Sequence, residues 1–98
     1  MQISHTKEGT TLTVSPAGRL DTVTAPQLDA FLAEHLNGVT ELIFDLKDLE
    51  YMSSAGLRSL LSAQKKMNSA GKMTVKNPNE LISEIFDITG FSDFLTIE

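Results

Sequence analysis

Cysteine is absent from this 98-residue chain. Its absence excludes disulfide bonds, thiolate catalysis and cysteine-ligated zinc. The chain also lacks an apolar run of membrane-spanning length. Its first residues, Met1–His5, have neither the basic start nor the apolar core of a secretory signal. We therefore expect a soluble, cytoplasmic protein with no direct membrane insertion.

Basic residues are scarce and scattered. The chain has 8 Lys and Arg against 13 Asp and Glu, which gives a formal net charge of −5 and a pI near 4.9. Nucleic-acid binding relies on clustered cations that replace counterions on the phosphates. We therefore expect no nucleic-acid partner. The length suits one domain, residues 1–98, with a modest core.

Hydrophobic periodicity predicts strands before helices. Thr11–Ser15 alternates like a half-buried strand, and a short strand around Ile3 and His5 precedes it across a turn at Glu8–Thr10. Pro16 and Gly18 are expected to interrupt that ladder. A first helix is predicted to start at Thr24–Gln27, with Thr24 as its cap, and to end near Gly38. The predicted elements that follow are a strand over Glu41–Leu46, a helix over about Ala55–Ser69, a strand over Lys72–Lys76, and a helix that starts at Asn77–Glu80 and ends at Gly90.

This order of elements predicts an α/β fold. Strand–helix–strand crossovers make parallel neighbours, and the opening hairpin adds an antiparallel pair. We expect a single domain in which a mixed four- to five-stranded sheet with an N-terminal hairpin packs against three to four helices. Sites in such folds lie where strands give way to helices.

One such point is the loop Tyr51–Leu57, which places two serines at the predicted start of the second helix. Ser54 is open to three interpretations there: a helix N-cap, a catalytic nucleophile, or a phosphoacceptor. Gly56 lies in the first helical turn, where glycine is costly, and indicates that some group approaches the backbone closely.

Hydrolase chemistry is poorly supported by the residues around these serines. The Gly-x-Ser-x-Gly elbow is absent because Met52 and Ser53 precede Ser54. His5 and His35 are the only histidines, and no acidic partner is placed to orient either. No Gly-Lys-Ser/Thr phosphate-binding motif exists. We therefore predict no catalytic residues, no cofactor and no metal site; the carboxylates Asp45, Asp48 and Glu50 are expected to form a solvated rim.

A phosphoacceptor at this position makes physical sense. The helix start favours an added negative charge by ~0.3–1 kcal/mol. An unpaired anion forced into a desolvated interface costs ~3–5 kcal/mol. Phosphorylation would therefore spare the fold and end partner binding.

The sequence resembles a known family at this loop and elsewhere. Gly18–Asp21, the strand Leu42–Leu46 and the segment Asp48–Leu57 are similar to motifs of the STAS domain, and within it to the bacterial anti-sigma factor antagonists. The likeness extends over the whole chain in length and element order.

The resemblance implies a function. Members bind an anti-sigma factor that is also an ATP-dependent serine kinase, which frees a sigma factor; phosphorylation of the loop serine ends binding and a serine phosphatase restores it. Carried onto this chain, the phosphorylated residue is Ser54, with Ser53 as the alternative because it stands where the family often has Asp. The implied partner-binding residues are Asp21, Met52, Ser53, Ser54, Ala55, Gly56 and Leu57.

Two other interpretations stay open from the sequence. The same fold can serve as an accessory subunit of a membrane transport complex, which needs no phosphorylation cycle. Asp21 can equally be a turn residue that bonds to its own backbone. The sequence assigns no oligomeric state.

Overall fold

A computed structural model describes all residues, Met1–Glu98, as a mixed sheet with helices packed against it. The elements in chain order are β1 (Gln2–Glu8), β2 (Thr11–Leu20), α1 (Ala25–His35), β3 (Glu41–Asp45), β4 (Leu49–Met52), α2 (Ser54–Ala70), β5 (Lys72–Lys76), α3 (Glu80–Thr89) and a 3-10 turn over Phe91–Asp93. The predicted α/β class, N-terminal hairpin and helix count are confirmed. No helix is both long enough and apolar enough to cross a membrane.

The long strand β2 organises the sheet. It pairs antiparallel with β1 across the turn at Gly9 and Thr10. Its first half pairs in parallel with β3, and its second half pairs in parallel with β4. Strand β5 lies beyond β3, so the sheet order is β1-β2-β3-β5 with β4 on the far half of β2. The chain end covers the outer edge of β5, where Val75 bridges to Ile97.

The prediction that Pro16 and Gly18 interrupt the ladder is wrong. Strand β2 continues to Leu20, and Pro16 pairs with Ile3 of β1. Alternate residues direct their backbone nitrogen to the same strand edge. The nitrogen of Pro16 therefore faces the same strand edge as the N–H of Gly18, which donates to the Asp48 oxygen. Pro16 lies in the gap on that edge between the part of β2 that pairs with β3 and the part that pairs with β4. A missing N–H is tolerated in that gap. Gly18, at φ 98°, accommodates the register shift that follows it.

The core lies between the sheet and the helices. Alternate residues of β2 and β3 contribute its centre, with Leu12, Val14, Leu42 and Phe44 essentially inaccessible to solvent. Helix α2 adds its apolar stripe from Leu57 to Met67. Each of the three helices is held by this burial rather than by its intrinsic propensity.

Helix α3 begins and ends as the sequence predicts. The Asn79 side chain accepts a hydrogen bond of 2.8 Å from the backbone N–H of Ile82, which caps the helix start. Gly90, at φ 76°, ends the helix in the left-handed conformation that glycine adopts freely. The Asn79 amide also donates to the backbone oxygens of Leu49 and Glu50 at 3.2 Å, which fixes the start of α3 beside β4.

Candidate functional site

The candidate site lies at the carboxyl ends of two parallel strands, β2 and β4. Leu20 pairs with Met52 at the end of both strands, and the backbone N–H of Ser53 donates to the Leu20 oxygen at 2.9 Å. The loops that follow these strands therefore leave the sheet side by side. One loop carries Asp21 into α1, and the other carries Ser54 into α2.

The two serines differ sharply in exposure. Ser53 is the N-cap residue of α2, with extended backbone, and its Oγ is buried without a hydrogen-bond partner. Ser54 is the first residue of the helix and is exposed. The interpretation of Ser54 as the N-cap is therefore wrong by one residue, because β4 ends at Met52 and the helix begins directly after Ser53.

Gly56 is buried for a reason internal to the fold. A Cβ on this residue would lie 2.8 Å from both Leu20 Cγ and Met52 Cγ. These two side chains belong to the paired ends of β2 and β4 and are themselves fully buried. The close approach inferred from the sequence is therefore made by the chain's own core, which sets the start of α2 tightly on the sheet.

Asp21 forms a hydrogen-bonded turn before α1. Its Oδ1 accepts from the backbone N–H groups of Val23 at 3.0 Å and Thr24 at 3.1 Å. Its own N–H donates to Thr24 Oγ1 at 2.9 Å, and that hydroxyl is within bonding distance of the Arg19 oxygen at 2.8 Å. The Thr24 side chain thus stabilises the turn and makes no capping hydrogen bond to α1. The prediction that Thr24 caps this helix with its side chain is wrong. The turn interpretation of Asp21 is confirmed.

Arg19 links the two sides of the site. Its guanidinium lies 4.4 Å from the centre of the Tyr51 ring on β4, and its Nε lies 3.9 Å from Asp21 Oδ2. A cation over an aromatic face is attracted by the ring quadrupole. The exposed Arg19 side chain therefore connects β2, β4 and the turn at Asp21. Nothing in the sequence pattern singled it out, because β4 itself was not predicted.

Comparison with known proteins decides the family. A family model described as the STAS domain matches residues 2–98. The chain belongs to the STAS domain family. The STAS domain is 33% identical over 85 residues to the anti-sigma-B factor antagonist of Bacillus subtilis strain 168, a match that covers 86% of this chain and 78% of that protein.

Solved structures share the fold. An anti-sigma factor antagonist from Mycobacterium paratuberculosis superposes with a TM-score of 0.88 at 23% identity, covering 98% of this chain and 83% of that one. The phosphorylated form of the Bacillus cell fate determinant SpoIIAA superposes with a TM-score of 0.76 at 20% identity, covering 99% and 91% of the two chains. These two likenesses confirm the predicted fold, and the family model together with the Bacillus subtilis relative confirms the predicted family resemblance.

A groove runs between α1 and α2 beside Ser54. Its volume is about 350 Å³, and its walls include Thr22 and Asp29 on one side and Ala55 and Arg58 on the other. It begins at the residue next to Ser54 and continues along both helices. The STAS domain therefore presents Ser54 at one end of a continuous, partly polar depression in its surface.

The structure separates the remaining predicted partner-binding residues into surface and core. Met52 and Leu57 are 1% and 4% exposed, and Gly56 is buried, so these three support the loop from below. Asp21 and Ala55 are partly exposed beside Ser54. Direct contacts with a docked partner are therefore available to Asp21, Ser54 and Ala55 but not to the side chains of Met52 and Leu57.

The histidines and Asp45, which were considered for catalysis or metal binding, lie away from the serine loop or are engaged in other contacts. His35 stacks on Phe31 at 4.0 Å between ring centres, near His5, at the end of α1 opposite to Asp21. The helix rise places that end roughly 15 Å from the start of α1, which follows the turn at Asp21. Asp45 accepts hydrogen bonds from the Lys47 N–H and the Asn77 amide, both at 3.1 Å. No group of three potential metal-binding side chains occurs.

The hydrogen bonds at Asp21 make a pH-dependent contribution to stability. The backbone N–H of Thr24, more than any other contact, lowers the pKa of the Asp21 carboxyl. A carboxyl whose pKa is lower in the folded state stabilises that state above its unfolded pKa, and this stabilisation is lost as the pH falls through the folded value.

We expect an Asp21→Asn variant to lose less unfolding free energy than the wild type on acidification from neutral pH to below pH ~4. Urea unfolding at several pH values measures this difference. An identical pH dependence in both proteins would contradict the role assigned to the Asp21 carboxylate.

Proposed function

We propose that this STAS domain is an anti-sigma factor antagonist that is controlled by phosphorylation of Ser54. In this proposal it binds an anti-sigma factor with serine kinase activity and thereby releases a sigma factor. The Bacillus subtilis relative, named an anti-sigma-B factor antagonist and matched over most of both chains, is the observation that carries the assignment. The proposed role is binding, and the domain itself performs no catalysis.

Exposure favours Ser54 over Ser53 as the phosphoacceptor. A kinase must bring the serine oxygen in line with the γ-phosphate of ATP, so the oxygen has to be reachable from solvent. Ser54 is exposed, whereas the Oγ of Ser53 is sealed by the surrounding atoms. Phosphorylation of Ser53 would require the first turn of α2 to open, while Ser54 needs no rearrangement of the fold.

The position of Ser54 in the helix explains why the fold would survive the modification. A phosphate on the first helical residue lies beside the free backbone N–H groups and the positive end of the helix dipole. Arg58 follows one turn later on the same face, is exposed and takes part in no salt bridge of this structure. Both features stabilise the added charge in the isolated domain.

The same charge would be costly once a partner covers it. The groove beside Ser54 and the turn at Asp21 form the surface that we assign to the anti-sigma factor. A partner that fits the unmodified serine provides no compensating cation, so binding would desolvate the phosphate. Phosphorylation therefore acts as an off switch, and a serine phosphatase would reverse it.

Site-specific phosphorylation tests this proposal. We expect incubation with ATP and the cognate anti-sigma kinase to add the mass of one phosphate, and fragmentation to locate it on Ser54. A Ser53→Ala variant, the matched control, should be modified as readily as the wild type, and Ser54→Ala should not be modified. Modification that persists in Ser54→Ala and disappears in Ser53→Ala would overturn the assignment. A transport-complex subunit would show no modification in any variant.

A further inference from the structure

The charge of the STAS domain is divided unevenly along the chain. Residues 1–76 carry eight acidic and eight basic side chains and are formally neutral. Residues 77–98 carry five carboxylates and no lysine, arginine or histidine, and so account for the entire net charge of −5. Glu98 lies 3.8 Å from Lys76, whereas none of the four salt bridges involves Glu80, Glu84, Asp87 or Asp93. Helix α3 and the segment after it therefore hold uncompensated negative charge.

The same helix exposes an apolar stripe. Leu81 and Ile88 are 47% and 84% exposed, and the half-buried Ile85 lies between them at helical spacing. The adjacent face of α3 packs Ile82 and Phe86 into the core. Large apolar side chains at this exposure on one helix face are unusual for a surface that meets only water.

The acidic and apolar residues are neighbours on the helix surface. At 3.6 residues per turn, Glu84 lies one turn from both Leu81 and Ile88, and Glu80 and Asp87 continue the acidic strip on the same side of the stripe. The stripe, defined as Leu81, Ile85 and Ile88, is therefore bordered by carboxylates along one side and by the protein core along the other.

We infer that this face of α3 is a second docking surface, and that its partner is a basic amphipathic helix of another protein. The apolar face of such a helix would cover Leu81, Ile85 and Ile88, and its lysines or arginines would meet Glu80, Glu84 and Asp87. Helix recognition of this kind depends on anchors at i, i+4 and i+7, which is the spacing of the stripe. The surrounding carboxylates would speed association and select for basic partners.

The charge argues against two other occupants. A second copy of the chain would bring a second set of unpaired carboxylates to the same interface, and like charges placed together there oppose association. An anionic lipid surface would be repelled by the acidic strip. The surface is also separate from the proposed switch, because no α3 residue lines the groove beside Ser54. The inference thus stands independently of the phosphorylation proposal.

Titration with a model helix tests the surface directly. The probe is a synthetic amphipathic peptide with leucine on one face and lysine on the other, added to the full chain labelled with ¹⁵N. We expect amide shifts concentrated in Glu80–Thr89, and at least about tenfold weaker binding for Ile88→Ser and for Glu84→Lys. Val23→Ser is the matched control, because Val23 is 85% exposed but lies outside α3. The spectra of the free variants also report whether each one is folded.

Several results would overturn the inference. Shifts centred elsewhere, or equal affinity for Ile88→Ser, Glu84→Lys and the wild type, would show that the stripe is not the binding surface. Equal binding of a peptide with the same leucine face and glutamate in place of lysine would remove the requirement for a basic partner. Self-association that Ile88→Ser abolishes would assign the stripe to a second copy of the chain.

A photocrosslinking residue at position 88 then identifies the natural occupant in the cells that make this protein. Crosslinking to a basic, helical segment of another protein is the expected result. Crosslinking to a second copy, to a neutral or acidic segment, or to no protein would contradict the inference.

Discussion

Replacing Ser54 by aspartate should weaken binding of the anti-sigma factor by about a hundred- to several-thousand-fold, the equivalent of ~3–5 kcal/mol. The reason is that the partner would desolvate a permanent carboxylate at the mouth of the groove and would supply no cation of its own to pair with it. The carboxylate should not harm the isolated domain, because the helix start favours it by ~0.3–1 kcal/mol. Calorimetric titration and melting curves on the same preparations measure the two effects.

Two variants serve as controls for this experiment. Ser54→Ala removes the hydroxyl without adding charge and should bind within about tenfold of the wild type, since one exposed hydrogen bond is the most that it loses. Ser4→Asp adds the same charge to an exposed position on β1, away from the site. An aspartate at position 54 that binds as tightly as the wild type, or that melts far below it, would contradict the proposed switch.

Gly56→Ala should destabilise the domain although alanine is the better helix former. Alanine gains up to about 1 kcal/mol of helix propensity, but its Cβ would meet Leu20 Cγ and Met52 Cγ at 2.8 Å, well inside normal contact. Overpacking of this kind costs roughly 1–3 kcal/mol, and both side chains are fully buried in the core. We expect a net loss of about 1–2 kcal/mol, or a Tm lower by roughly 5–15 °C.

Ser62→Ala is the matched control for the glycine variant. Ser62 lies on the exposed face of α2, so alanine gains helix propensity there without meeting the core. Denaturant unfolding should show Ser62→Ala at least as stable as the wild type and Gly56→Ala less stable. If both variants were stabilised equally, the packing of Gly56 against the ends of β2 and β4 would not be the reason for glycine at this position.

Elements with strong local signals could be predicted from the sequence. The alternation in Thr11–Ser15 and the capping residues of α3 led to the correct hairpin and the correct third helix, because a period-two pattern and an Asn cap act within a few residues. The existence of the second helix followed in the same way from the spacing of its leucines.

Strand β4 could not be predicted because its partner is remote and its signal is weak. It has only four residues, and it pairs with the half of β2 that follows the predicted interruption at Pro16 and Gly18. Pro16 is compatible with β2 because it lies between the segments that pair with β3 and β4. The positions of those two partner strands depend on the whole sheet and not on the local sequence. Without β4, the end of the strand at Met52 was unknown, and so the helix start was placed one residue late.

For the site residues, too, local properties could be predicted from the sequence and tertiary contacts could not. The motif and the resemblance identified the serine loop and Asp21, and the turn chemistry of Asp21 is a local property. The burial of the Ser53 oxygen, the contacts of Gly56 and the bridge from Arg19 to Tyr51 depend on how β2 and β4 end together. Those features are tertiary, and no spacing along the chain encodes them.

The most direct measurement uses a form of the domain that carries phosphoserine at position 54. The phosphoserine is incorporated during synthesis, so that no kinase is required. Its affinity for the anti-sigma factor and its melting temperature are compared with those of the unmodified protein. We predict that the phosphorylated domain melts at or slightly above the temperature of the unmodified one and shows no measurable binding. Retained binding, or loss of binding accompanied by unfolding, would contradict the claim that one exposed hydroxyl switches the interaction without disturbing the fold.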